Sequence, residues 1–243
     1  MKKSAFFLAA LCSGTLLLGS CNSDKSADST ATTTETTSPD ASASGDMAGM
    51  NHDAPAAEGA AATGGESPQM TAMNEMMAKM HAMKMKGNTD HDFAHHMLEH
   101  HKGAVVMADI ELRDGKDATM RQMAEKIKAD QQKEIAELEA AATRLDNAPT
   151  NYKPQDPSDP FNSKMKASMD AMMKNMPPMV ANPDMNFNMM MTVHHQSAVD
   201  MAQAELAHGK DTKLKEMAQK MIDAQQKEIA DFKAWHDKNA DKM

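Results

Sequence analysis

Two adjacent histidines follow a methionine twice in this chain, as Met97-x-x-His100-His101 and as Met191-x-x-His194-His195. A thioether beside two neutral imidazoles is a donor set for a soft ion. Thioether sulfur selects Cu(I), whereas imidazole accepts several metals. Zinc sites draw more often on cysteine, further histidines or carboxylate. Calcium and magnesium require oxygen ligands, which this pattern lacks apart from Glu111 and Glu205. If the segment is a helix, a turn of about 100° per residue places Phe93, Met97, His100, His101, Ala104, Met107, Ala108 and Glu111 within about 120° of one another. The histidine pair straddles the centre of that stripe, and Met97 sits between them one turn earlier. The expected ligands are therefore Met97, His100, His101 and Met107, with Met191, His194, His195 and Met201 from the second copy. Glu111 and Glu205 need polar partners on an apolar face. By accepting the ring N–H that a metal leaves free, they would orient the imidazoles. Whether each copy builds its own site or both meet in the middle stays open.

The elements that must position these residues are also repeated. A shift of 94 positions carries Asp90 to Asp184, Phe93 to Phe187, Gly115-Lys116-Asp117 to Gly209-Lys210-Asp211, and Gln131 through Ala136 onto Gln225 through Ala230. Each half reads as three helices. Ser67 before Pro68 and Asp159 before Pro160 are helix-start signals. Asp90 and Asp184 are expected to cap the second helices, and Gly115 and Gly209 to end them in a left-handed conformation. Asp117 and Asp211 then start the third helices at once, so the second and third helices are antiparallel neighbours. The third helices carry Met123, Ala124, Ile127, Gln131, Ile135 and Leu138, an ordinary packing stripe. The expected fold is all-α: a four-helix bundle closed by two helical hairpins, with a Met-rich helix before each. The domain spans 67–243, in halves 67–146 and 160–240.

The Met-rich helices are a second source of donors. Met73, Met76, Met77, Met80 and Met83 follow helical spacing, with His81 nearby, and Met172, Met173 and Met176 correspond in the second half. A methionine stripe of this kind usually packs a core, yet methionine fills nearly every apolar position between 70 and 85, where leucine is the commoner packing choice. His91, His95 and His96 add donors beside the first pair, and Met185, Met189 and Met190 stand at those places in the second half. Composition agrees: methionine accounts for 28 of 243 residues, against one Trp, one Tyr and six Phe. The net charge of -9, with no basic stripe, argues against nucleic acid.

At the N-terminus, Lys2 and Lys3 precede an apolar run over 5–18, too short for a membrane span. Leu18-Gly19-Ser20-Cys21 resembles a bacterial lipoprotein signal. That resemblance implies a signal peptide over 1–20, lipid attachment at Cys21, and export to the periplasm or cell surface. Cys12 leaves with the signal, so the mature domain has no free thiol for a metal or a disulfide. Residues 21–66, rich in Ser, Thr, Ala, Asp and Gly, are expected to be a disordered tether. Within it, Met47-x-x-Met50-x-His52 is a small cluster of donors.

The pattern Asp90-x-x-Phe93-x-x-x-Met97-x-x-His100-His101-x-x-Ala104-x-x-Met107-Ala108, with the later Gln-Gln-x-Glu-Ile segments, resembles domain-of-unknown-function family 305, over about 70–240. The resemblance implies a ferritin-like fold and CopM-like periplasmic binding of Cu(I), with Ag(I) as a companion ion, in copper tolerance. It also implies a copper exporter or metallochaperone as partner. Two other classes compete. A ferritin-like di-iron or oxidase enzyme would use paired Glu-x-x-His motifs, and Glu205-x-x-His208 fits while Glu111-x-x-Asp114 does not. A metal-free helical adaptor would leave the repeated histidines without a role.

Overall fold

The computed structural model describes residues 67–242, which lie within one compact unit, Ala57–Met243. The expected signal, Cys21, tether and Met47–His52 cluster lie outside the described residues. Six helices follow in order: α1 Pro68–Ala82, α2 Thr89–Asp114, α3 Ala118–Leu145, α4 Pro160–Lys174, α5 Pro183–His208 and α6 Thr212–Asn239, with a short 3₁₀ turn at Ala240–Lys242. No strand occurs among the described residues. Helices α2 and α5 each have 26 residues and α3 and α6 each have 28, so the sequence repeat is a repeat of structure. No helix among the described residues is long and apolar enough to cross a membrane.

Four of the expected helix starts hold. Ser67 accepts from the Met70 amide, Asp159 from Phe161 and Asn162, Asp117 from Thr119 and Met120, and Asp211 from Leu214. Two expectations are corrected. Asn88 and Asn182, not Asp90 and Asp184, cap α2 and α5, because their extended backbone aims each side-chain oxygen at the amide three residues on. Asp90 and Asp184 lie inside the first turn and reach across to the other half. Asp90 accepts from the Lys210 and Asp211 amides, and Asp184 from Lys116 and Asp117. Gly115 and Gly209 are not left-handed either, with φ of -69° and -61°. Glycine is required there because a Cβ would collide with the backbone carbonyl of Glu111 or Glu205 and with its carboxyl, which folds back over its own helix end.

These exchanges set the architecture. The start of α2 lies at the end of α5 and the start of α5 at the end of α2, so the central pair is antiparallel. Trp235 Nε1 donates to Asp117 Oδ1 at 3.0 Å, and Arg144 pairs with Asp211 at 2.6 Å. The outer pair α3 and α6 is therefore antiparallel too, and the four helices close one bundle. Helix α1 lies antiparallel on α2: Gln69 Nε2 donates to the Met107 carbonyl, and Gly103 leaves room for the Met76 thioether. Helix α4 lies on α5 in the same way. Between the halves, the segment after α3 crosses the start of α2. The Asn151 and Tyr152 amides donate to the Gly87 carbonyl, and Tyr152 Oη donates to Asp92. Gly87 itself has φ of 89°, a backbone that only glycine adopts without strain.

The core is largely methionine. Met73, Met80, Met97, Met107, Met120 and Met165 are among its largest fully buried side chains, beside Phe93, Phe161, Phe187 and Phe232. Burying each such side chain stabilises the fold by about 1.5–3 kcal/mol.

Candidate metal centre

All eight positions of the α2 stripe, Phe93 through Glu111, and all eight α5 counterparts are 0% exposed. The stripe of each helix faces the other, and the histidine pairs fall at the helix midpoints, where α2 and α5 cross. There the His100 and His194 rings lie 3.7 Å apart, centroid to centroid, tilted by 32°. The His100 and His101 centroids are 6.4 Å apart and those of His194 and His195 are 6.0 Å apart. The two copies therefore meet in one centre.

Hydrogen bonds fix the tautomers. His194 Nε2 donates to the His100 carbonyl at 2.9 Å. His101 Nε2 donates to Glu134 at 2.8 Å and His195 Nε2 to Glu228 at 2.9 Å. With Nε2 as the donor, the neutral form of each ring carries its lone pair on Nδ1. The Nδ1 atoms of His101, His194 and His195, and both nitrogens of His100, are buried without a protein partner. Burial first, then the surrounding imidazoles, holds His100 and His194 well below the usual histidine range. Both are neutral at physiological pH, the form that binds metal. The amides of Gln131 and Gln225, each one turn before Glu134 or Glu228, are also buried without partners. Such concentrated unpaired polarity is costly unless something completes it.

Glu134 and Glu228, not Glu111 and Glu205, hold the imidazoles. The reason is length: Glu111 stands ten residues beyond His101, about 15 Å along the helix, and the antiparallel partner presents its first turn there rather than its middle. The Glu111 carboxyl is instead pushed up to about 9, by burial and then by the facing Asp184 carboxyl. Glu205 is pushed up to about 9 by burial and by Asp90. Both are neutral acids at the helix ends. Glu228 is held low: burial works against its charge, but His195 and Lys126 outweigh it. Equal distances back from the Gly115-Lys116-Asp117 turn bring His101 opposite the Gln131–Glu134 turn, which is the signal that could have found Glu134.

The other expected donors divide. Met97, Met107, Met191 and Met201 are fully buried on the two stripes that carry the histidines. Met73, Met76, Met77, Met80 and Met172 are buried, and Met83 and Met176 half-buried. Met173 is corrected: at 42% exposure it faces outward, because the α4 stripe runs through Met165, Ser168 and Met172. His81 is also exposed. His91 and His95 lie on the first turns of α2, with their rings 4.3 Å apart, away from the crossing. His96 Nδ1 donates to the Asp92 carbonyl at 2.9 Å. Of their second-half counterparts, Met185 and Met190 are fully buried core. His208, part of the Glu-x-x-His spacing, packs edge-on against Phe161 at the far end of α5.

The family described as "Domain of unknown function (DUF305)" matches residues 17–142 and again residues 90–236. The chain belongs to this family. The first DUF305 match contains the His100-His101 pair, and the second, which overlaps it, contains both pairs. No curated protein matches the chain. Among solved structures it is similar to a DUF305 fragment from Deinococcus radiodurans, at 24% identity over 60% of this chain and 93% of that one, with a TM-score of 0.44. It is also similar to CopM in its Cu(I)-bound form, at 25% identity over 61% of this chain and 96% of that one, with a TM-score of 0.47. The silver-bound form of CopM gives 24% identity over 61% and 95%, and a TM-score of 0.47.

Proposed function

We propose that this DUF305 protein is an exported, lipid-anchored binder of Cu(I) and Ag(I) that takes the ions through methionine and histidine, in copper tolerance or trafficking. One observation carries the reading: neutral imidazoles from α2 and α5 meet at the helix crossing with Nδ1 atoms that no protein group satisfies. Thioethers share both helix stripes, no cysteine occurs among the described residues, and the nearest carboxylates are engaged with ring N–H groups rather than turned to an ion. That set favours a soft, low-charge ion. The carboxylates bonded to His101 and His195 make each ring a better donor and fix its direction. The leader ending in Cys21 supports export and anchoring, and the ion would pass to or from an exporter or metallochaperone. The Glu-x-x-His motif that a di-iron enzyme uses occurs once rather than in a symmetric pair, since Asp114 stands where His208 does in the other half.

The test is anaerobic titration of the purified chain with Cu(I) against a competing chelator. Replacing His100, His101, His194 and His195 by alanine should lower the number of tightly bound ions while helical content survives. An unchanged stoichiometry in that variant would take these histidines out of the site.

A further inference from the structure

A second cluster of donors sits away from the crossing, where the first turns of α2 meet the end of α3. His91 and His95 are one helical turn apart on the same face. Asp146, just past the end of α3, places Oδ1 3.5 Å from His91 Nε2. One ligand atom from each of the three residues lies within 4.8 Å of the others. They open on a cavity of about 440 Å³ that Met85 also lines.

The hydrogen bonds around the cluster prepare it for a cation. His91 Nδ1 donates to Asp92 Oδ1 at 2.8 Å, which in the neutral ring turns the Nε2 lone pair toward the Asp146 carboxylate. In that form a lone pair and an anion face each other, and a cation between them removes the repulsion. Lys86 Nζ relieves it only in part, from 3.9 Å. Asp92 is itself held by the Lys86 and Gly87 amides and by Tyr152 Oη, at 2.7–2.9 Å. The direction of the His91 ring is therefore built in, as in carboxylate–histidine–metal sites. His95 Nε2 is buried without a partner.

We propose that His91, His95 and Asp146 form a binding site for a divalent transition ion, Cu(II) ahead of Zn(II), separate from the soft-ion centre. Two imidazoles and a carboxylate form a borderline donor set, and such sites rank divalent ions with Cu(II) above Zn(II). Three protein ligands at a surface cavity leave a position for water or exchange. The second half does not repeat the site. Met185, Asn186, Met189 and Ala240 stand at the corresponding positions, and Asn186 keeps only the loop-holding role by bonding both the amide and the carbonyl of Val180. Among the described residues the site therefore occurs once.

Calorimetric titration of the chain with Zn(II), and electron paramagnetic resonance with Cu(II), test the site without involving Cu(I). The parent should bind one tight equivalent, with two nitrogen donors in the Cu(II) spectrum. His95→Gln, at a half-buried position, and Asp146→Asn, at an exposed one, should each weaken it about tenfold or more. The His91→Ala/His95→Ala pair should remove it, while His100→Ala/His194→Ala leaves it in place. The proposal is overturned if the parent binds no more divalent ion than the His91→Ala/His95→Ala variant, or if Asp146→Asn binds as the parent does. Loss of the equivalent only in the His100→Ala/His194→Ala variant would also overturn it.

Discussion

Replacing Glu111 and Glu205 together by glutamine should flatten the dependence of stability on pH. Each carboxyl is raised from the usual 4.5 to about 9, so the folded chain holds two protons that the unfolded chain releases above the ordinary carboxylate range. The sign follows: the contribution is fully present below about pH 4.5 and is lost progressively up to about pH 9. Across this window each group changes stability by at most about 1.4 kcal/mol per pH unit. Two groups over two units set a ceiling of about 5 kcal/mol. Water reaching the helix ends on ionisation leaves about half of that, equivalent to a fall in Tm of about 5–10 °C for a domain of this size. Glutamine has nearly the same shape, stays neutral, and still offers a donor to Asp184 or Asp90. The double variant should meet the parent only below about pH 4.5, exceed it already near pH 6, and exceed it further near pH 8. Thermal melts in metal-free buffer at the two pH values, followed by circular dichroism, provide the measurement. Parallel Tm profiles for parent and variant would refute the buried neutral acids.

Other consequences are open to direct measurement. Gly115→Ala should cost about 1–3 kcal/mol, because its Cβ meets the Glu111 carboxyl. Glu111→Ala in the same chain should relieve the part of that loss that comes from the carboxyl, but not the part from the Glu111 carbonyl, 2.6 Å from the same Cβ. A strictly additive double mutant in denaturant unfolding would contradict the carboxyl collision. Glu134→Gln and Glu228→Gln should weaken Cu(I) binding about 10–100-fold with helicity unchanged; competition titration that finds no difference would show that these carboxylates do not tune the imidazoles. Cu(I) binding at the crossing should resist acid well below the usual histidine range, because burial and neighbouring imidazoles hold His100 and His194 low. Loss of affinity already near pH 6.5 in a titration series would argue against their buried, neutral state.

The face of each helix was legible from periodicity, but the partner of each face was not. The eight-residue stripe of α2 emerges from a 100° wheel because helix geometry is local. The meeting of His100 with His194 depends on how two hairpins dock, and repeat spacing alone says nothing about that. Glu111 drew attention because it lies on the stripe, yet Glu134 on α3, within what reads as a solvated face, is the residue that reaches an imidazole. Asp90 and Asp184 were identifiable as acids at helix starts. Their role of holding the opposite half's loop required the antiparallel crossing. Asp146 could not be joined to His91 and His95 from sequence, since only the length of α3 returns the chain to the start of α2. Met172 and Met173 illustrate the smallest ambiguity: adjacent methionines both fit a rich stripe, and packing alone decided which one is inside.

The mutual grip of the two halves says something about half a chain. Asp90 holds the loop after α5, and Asp184 holds the loop after α2. A single three-helix unit therefore carries both a hook and an eye, and cannot fasten one to the other. Two identical units could clasp each other about a two-fold axis as the fused halves do, each lending its histidine pair to a shared middle. Fusing them into one chain frees the two ends of the assembly to differ, and the cluster of His91, His95 and Asp146 stands at one end only.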